Sequence, residues 1–353
     1  MSKTLLEETI RRIQPLDPQW LARAQERLDQ LTKPRGSLGR LEELAAWYVA
    51  VREEVLPSIN KKVVVIFAGD HGVVAEGVSA YPQEVTFQMV ANFIQGGAGI
   101  NVIARHVGAE VQIVDIGVNH DFTGMPGLLG RKVAPGTRNL AREAAMSLDE
   151  ALSALAIGIE VAQAAITAGA DVLATGEMGI GNTTPAAALA AAFTGQSAAA
   201  VTGRGTGVDD AAYQRKVSVI ERALALHQPD RHDPLSVLAK LGGLEIAGLA
   251  GLILGAAAVR RPVLVDGFIA TAGALVAVRL CPAVRDYIQA AHRSAENGHQ
   301  VMLADLGLQP LLQLDMRLGE GTGAALGMSL LEAGLKIYRE MATFAEAGVS
   351  DKD

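Results

Sequence analysis

The sequence predicts an α/β fold in which a mostly parallel sheet is flanked by helices. First, an unbroken apolar run at Val63–Phe67 is followed by similar runs at Val111–Ile116, Asp171–Ala174 and Pro262–Val265. Continuous rather than alternating hydrophobicity marks strands buried on both faces, as in parallel sheets. Second, Ala/Leu-rich stretches of helical length lie around them: Val85–His106, Ser147–Ala168, Pro185–Phe193, Ala211–His227 and Leu235–Val259. Strands alternating with helices indicate a parallel α/β architecture. Third, the chain is rich in alanine and carries 38 glycines, which lets helices pack closely on a sheet and supplies tight loops.

The ends of the chain have a different texture. Residues 1–58 read as helices with charged faces, interrupted at Lys33-Pro-Arg-Gly-Ser37, and Met328–Ala347 reads as an amphipathic helix. These segments are expected to pack together as a small helical domain, 1–58 with 328–353, beside an α/β domain of 59–327. No internal repeat or low-complexity linker is visible.

Composition removes several function classes. The 353 residues carry 31 Lys and Arg against 38 Asp and Glu, a net charge of −7. An acidic chain with only 4% aromatic residues suits neither counterion-releasing contacts to nucleic acid nor base-stacking platforms. Half of the residues are hydrophobic, enough for a large core and against disorder. The single cysteine, Cys281, excludes an intramolecular disulfide and a cysteine-based zinc site, and fits a reducing compartment. The N-terminal MSKTLLEETIRRIQ is charged, unlike a signal peptide. The longest charge-free apolar run, Ile246–Val259, is shorter than the roughly 20 residues a membrane span needs. A soluble, cytoplasmic protein without membrane association is expected.

Each strand-like run passes directly into polar and glycine residues. Val63–Phe67 leads to Ala68-Gly-Asp-His-Gly72, and Val111–Val114 to Asp115-Ile-Gly-Val-Asn119. Asp171–Ala174 leads to Thr175 and Gly176-Glu-Met-Gly-Ile-Gly-Asn-Thr-Thr184, and Pro262–Val265 to Asp266-Gly-Phe268. In open α/β sheets ligands bind at the carboxyl ends of strands, so these loops are expected to converge on one site.

Three glycine-rich segments are candidates for chemistry. Gly176–Thr184 reads as a loop between a strand and a helix, with Thr184 as N-cap and Pro185 in the first turn. It is either an anion cradle at a helix start or simply a tight turn. Glu177 within it has no evident structural duty. The segment matches neither the P-loop nor GxGxxG. Gly203-Arg-Gly-Thr-Gly-Val-Asp-Asp210 offers backbone donors and an arginine fork suited to phosphate. It reads equally well as a structural turn. Lys216 on the following helix is either a reach toward the same anion or a solvated surface residue.

The third segment, Arg317-Leu-Gly-Glu-Gly-Thr-Gly-Ala324, is the sharpest. Gly319 and Gly321 flank Glu320, and apolar sequence follows. A carboxylate so placed is partly desolvated, binds protons more tightly and works better as a general base. The alternative is a carboxylate that merely complements a helix dipole.

Other features are weaker. Asp70 and His71 could relay protons or bind a metal, but no third ligand lies at suitable spacing. The seven histidines form no HxH or HxxxH pair, and GxSxG is absent. No metal and no cofactor are expected. Tyr81, in the turn ending at Pro82, and Gln88 offer an aromatic wall and an amide for a flat ligand. Ala291-His-Arg-Ser-Ala-Glu296 reads as polar groups set into a core helix, with Ser294 facing the site.

Taken in order, Lys33–Glu42, Phe67–Val73, Gly176–Thr184, Gly203–Asp210, Val265–Phe268, Ala291–Glu296 and Met316–Gly323 resemble the nicotinate-nucleotide–dimethylbenzimidazole phosphoribosyltransferase family. The match runs from about residue 30 to the C-terminus. The resemblance implies transfer of phosphoribose from nicotinate mononucleotide to 5,6-dimethylbenzimidazole, in the lower-ligand branch of cobalamin synthesis. It also implies a homodimer, a Rossmann-like large domain and a small helical domain built from both termini. By the same resemblance Glu320 is the base and Glu177 joins it in the active site. Tyr81, Gln88, Met178 and Leu318 line the base pocket. Gly176, Gly179, Gly181, Asn182, Gly203, Arg204, Gly205, Lys216, Asp266, Gly267 and Ser294 hold the nucleotide and its phosphate. Two positions depart from the family pattern: Gln313, where an acid is expected, and Gly99. Neither is expected to touch the proposed base.

Overall fold

The computed structural model describes residues 2–203 and 209–350. Helices α1 (Ser2–Arg12), α2 (Pro18–Gln30) and α3 (Arg40–Arg52) precede the first strand, β1 (Lys62–Gly69). Then follow α4 (Val85–Gln95), α5 (Gly99–Val107), β2 (Ala109–Gly117), β3 (Leu128–Gly130) and α6 (Leu148–Thr167). The middle of the chain holds β4 (Val172–Met178), α7 (Thr183–Thr194), α8 (Ala198–Val201), α9 (Asp210–His227), α10 (Pro234–Leu241) and α11 (Leu244–Ala257). The last part contains β5 (Val263–Val265), α12 (Phe268–Leu280), β6 (Ile288–Ala290), α13 (Asn297–Leu306), α14 (Thr322–Glu340) and α15 (Phe344–Ala347).

Among the described residues the strands form one parallel sheet of order β3-β2-β1-β4-β5-β6. This is a doubly wound, Rossmann-like sheet. The chain leaves β1 toward β2 on one side and later returns to place β4 on the other. The crevice outside the carboxyl ends of β1 and β4 is therefore the switch point where such sheets bind ligands. The continuous apolar runs are explained by burial: all eight residues of β1 are buried.

All four expected strands are present, and β3 and β6 are additional. Each is three residues long, too short to leave a periodic signal. Tyr287-Ile-Gln-Ala-Ala reads as helical by propensity, but pairing of Val263–Val265 with Ile288–Ala290 overrides it. The polar segment Ala291–Glu296 accordingly lies beyond a strand end, not in a helix.

Two expected helices are each broken in two. Val85–His106 divides at Gly96-Gly97, where Gly96 takes the left-handed C-cap conformation (φ 79°). Leu235–Val259 divides at Gly242-Gly243, with Gly243 as the N-cap of α11. Glycine pairs favour such breaks because they carry the largest helix penalty of any residue but proline.

Helix α6 alone among the described residues is long and apolar enough to cross a membrane. Here it packs on α11, and Gly158 and Gly251 allow the backbones to touch. A Cβ at either position would collide with main-chain carbonyl oxygens of the other helix. Both ends of the chain meet: Leu31 and Thr343 form an antiparallel bridge, and Arg27 donates to the carbonyl oxygen of Tyr338 at 2.8 Å. The domain boundary expected at residue 328 falls inside α14, which starts at Thr322 and runs unbroken to Glu340.

Candidate active site

A cavity of about 380 Å³ opens at the switch point, within the size range of small-molecule sites. Its walls come from the end of β4 and the start of α7 (Glu177–Ile180, Asn182, Thr183), from Gly267–Ile269, from His292, Ser294 and Glu296, and from Arg317–Glu320. Tyr81, Val85 and Met89 close one side.

Glu177 belongs to β4 itself, one residue before its end, rather than to a loop. It is 6% exposed, and its Oε2 accepts a hydrogen bond from Asn182 Nδ2. Burial pushes its pKa up to about 8, against the Asn182 hydrogen bond and with the charges of Glu245, Asp266 and Glu320 adding to the rise. Helix α7 starts at Thr183, so Asn182 and not Thr184 is its N-cap. The Asn182 amide is committed to Glu177 and makes no capping bond. Pro185 in the first turn costs no hydrogen bond, since those N–H groups have no partner within the helix.

Glu320 faces Glu177 across a turn that needs glycine on both sides of it. Gly319, Glu320 and Gly321 all have positive φ, at 83°, 62° and 91°. A side chain on Gly319 would run into Glu177 Oε1. One on Gly176 would lie 2.7 Å from the Glu320 carbonyl oxygen. Glu320 is also 6% exposed. Its Oε2 accepts from the Ile100 backbone N–H at 3.2 Å, at the start of α5. Burial raises its pKa, and the Ile100 bond opposes that rise while the neighbouring Asp266 adds to it.

The remaining polar groups lie at the edges of the cavity or beneath it. Lys216 is buried, and its Nζ donates to Thr183 Oγ1 at 2.6 Å. Burial lowers its pKa to about 8, opposed by Glu296. Ser294 donates its backbone N–H to His299 Nδ1 at 2.9 Å. The other His299 nitrogen meets Thr271 Oγ1 at 2.9 Å. Burial holds the His299 pKa down, at about 3, so the ring is neutral and spans the two partners. Below Gly179 and Gly243, His71 Nε2 meets Glu245 Oε1 at 2.8 Å with both side chains fully buried.

A family model described as a phosphoribosyltransferase matches residues 13–349. The nicotinate-nucleotide–dimethylbenzimidazole phosphoribosyltransferase of Geobacter sulfurreducens is 62% identical over 350 residues, covering 99% of each chain. The enzyme of that name from Chloroflexus aggregans is 58% identical over 349 residues, again 99% of each. A crystal structure of CobT from Thermus thermophilus superposes with a TM-score of 0.92 at 51% identity, over 95% of this chain and 100% of that one. The chain belongs to the nicotinate-nucleotide–dimethylbenzimidazole phosphoribosyltransferase family. It is a pentosyl-transferring enzyme.

Of the residues anticipated for the site, Tyr81, Glu177, Met178, Gly179, Asn182, Gly267, Ser294, Leu318 and Glu320 line the family member's cavity together. Gln88 is exposed on α4 and outside that lining. Gly176 and Gly181 are packed instead against Glu320 and Val74. Gly203 adjoins Glu296, and Lys216 reaches the cavity through Thr183. Arg204 and Gly205 lie outside the described residues. Asp266 sits beneath the Glu320 turn, with backbone N–H groups as its partners.

Gly99 corrects the expectation that it stands clear of the proposed base. A Cβ there would lie 3.4 Å from Glu320 Oε2 and 2.9 Å from Leu318 Cδ2. The break at Gly96-Gly97 is the reason, because it turns the start of α5 toward the carboxylate. Glu245 and His292 went unassigned in the sequence. Glu245 looks like an ordinary first-turn acid of an apolar helix, and its one clue is that a buried His71 needs a partner.

Proposed function

We propose that Glu320 removes the ring N–H proton of 5,6-dimethylbenzimidazole as the other ring nitrogen attacks C1′ of nicotinate mononucleotide. The new N–C1′ bond forms as the C1′–pyridinium bond breaks. That electron pair neutralises the pyridinium nitrogen, so nicotinate leaves without prior activation. Attack opposite the leaving group converts a β-nucleotide into α-ribazole 5′-phosphate. The transition state has oxocarbenium character, as at other glycosidic centres.

The observation that supports this reading is the placement of two buried carboxylates, Glu177 and Glu320, on one small cavity. The Ile100 N–H bond favours the ionised form of Glu320. Glu177 starts with a raised pKa, and the arrival of a pyridinium cation favours its ionisation. Its charge then stabilises the positive sugar. Tyr81, Met178 and Leu318 are assigned to the benzimidazole, with Gln88 at the margin of its site. The glycine loops, Lys216 and Ser294 are assigned to the nucleotide, and fixing C1′ against the ring supplies much of the rate gain. The resemblance further supports a homodimer and a small helical domain built from both termini, and the single cysteine supports a reducing, cytoplasmic location.

The test is turnover with the two substrates, followed by chromatography. Equal amounts of nicotinate and α-ribazole phosphate are expected, and nicotinate released without a nucleoside product would sink the reading. In the same assay Lys216→Ala should raise the nucleotide KM by roughly 10- to 150-fold, the worth of a hydrogen bond to a charged group. The benzimidazole KM should stay close to wild type. An unaltered nucleotide KM would remove Lys216 from the site.

A further inference from the structure

Asp266 follows β5 directly and is 1% exposed. Its Oδ2 accepts from the Gly321 N–H at 3.2 Å and its Oδ1 from the Ala324 N–H at 2.9 Å. Gly321 is the N-cap of α14 and Ala324 lies in its first turn. The carboxylate therefore caps this helix from a distant part of the chain, where N–H groups have no partners of their own. Its own N–H donates to Thr175 Oγ1 at 3.0 Å, tying the end of β5 to β4. His292 Nε2 stands 3.6 Å from Oδ1, too far for a hydrogen bond.

A buried carboxylate whose two oxygens are both taken by backbone donors has nothing to offer a phosphate. It does have a direct hold on the turn that presents Glu320. That turn needs a left-handed φ of 62° at a non-glycine residue, which persists only where the surroundings impose it. Asp266 fixes the residue immediately after Glu320, and the Ile100 N–H fixes the far end of the Glu320 side chain. We propose that Asp266 is a positioning residue for Glu320, clamping the first turn of α14 so that the carboxylate stays in the cavity. This rests on Glu320 being the base.

The clamp also has an electrical consequence. Glu320 is faced by Asp266 beyond β5, Glu177 on β4, His292 beyond β6 and the N-terminus of α5, with Arg317 on its own loop. The negative charge of Asp266 raises the proton affinity of Glu320. Burial pushes the pKa of Asp266 itself upward, against His292 and the α14 N–H groups. Two N–H bonds, one to each oxygen, favour its ionised form.

Asp266→Asn presents an amide NH₂ to one of the α14 donors and removes the charge. Turnover is expected to fall roughly 10- to 100-fold, a share of the 10²–10⁴-fold contribution of a positioned general base. The nucleotide KM should hold. The acidic limb of the pH–kcat/KM profile for the benzimidazole should move to lower pH, because a less basic Glu320 stays ionised further down. The substrates are common to both enzymes, so the displacement reports on the protein. A raised nucleotide KM with turnover kept would make Asp266 a nucleotide residue, and a fall in turnover with an unmoved limb would make it merely structural. Either result overturns the proposal. If the variant does not fold, Gly321→Ala strains the same turn and leaves the carboxylate in place. It should cost turnover and spare the nucleotide KM, and unchanged turnover would overturn the clamp. Full activity in Glu320→Gln would instead remove the underlying assignment of the base, a different failure.

Discussion

Glu320→Gln should lower turnover by roughly 10²–10⁴-fold and leave nucleotide binding as it is. The amide keeps the size and polarity of the side chain and can still accept from the Ile100 N–H. It cannot take a proton. In free-energy terms the loss is about 3–5 kcal/mol of transition-state stabilisation. Turnover at saturating benzimidazole, with nucleotide affinity measured separately by calorimetry, separates the two effects. A variant that lost nucleotide affinity in proportion to its rate would point to a binding role. One that kept full activity would remove Glu320 from the chemistry.

The second large effect concerns stability. Glu245→Ala should destabilise the fold by about 3–5 kcal/mol, the usual cost of removing one partner of a buried ion pair. His71 and Glu245 are both fully buried, so the substitution strips a buried imidazole of its partner. Burial by itself lowers the pKa of His71, but the charge and hydrogen bond of Glu245, together with the charge of Asp70, outweigh it and raise the pKa above its ordinary value. A group whose pKa is raised on folding contributes stability that is complete below its unfolded pKa. That contribution fades as the pH climbs through the folded value. The penalty for Glu245→Ala should therefore be largest at mildly acidic pH and shrink in alkaline solution. Urea titrations at several pH values read this directly. A penalty that grew with pH would mean that His71 is neutral in the native protein.

Much of this was legible in the residues. The strands that place the site, β1 and β4, are long and buried on both faces, so their hydrophobicity is continuous and their ends are visible as abrupt changes to glycine and acid. Glu320 stood out because glycines flank it, and the structure shows why they must. Gly319 admits the Glu177 carboxylate, and Gly321 adopts a backbone that β-carbons disfavour.

What escaped the sequence is mostly long-range. Both glycine pairs look like blemishes in long helices. In three dimensions the first aims a helix start at the site and the second aims one at the layer beneath it. The pair at 96–97 brings Ile100 to Glu320, and the pair at 242–243 brings Glu245 to His71. Periodicity along one helix does not encode a partner 220 residues away. Lys216 was ambiguous for the same reason, since burial under the edge of the cavity leaves no mark in the helix that carries it. Asp266 was noticed for its position after a strand, but the donors that hold it belong to a helix far along the chain.

If Glu320 takes the proton of the incoming ring, its carboxylate must meet a ring nitrogen when the cavity is filled. A crystal structure with 5,6-dimethylbenzimidazole and an unreactive analogue of nicotinate mononucleotide bound together shows whether it does. A Glu320 carboxylate oxygen is expected about 2.6–3.2 Å from one ring nitrogen, with the other nitrogen directed at C1′. A Glu320 side chain swung out to solvent, with the ring nitrogens met by some other group, would contradict it.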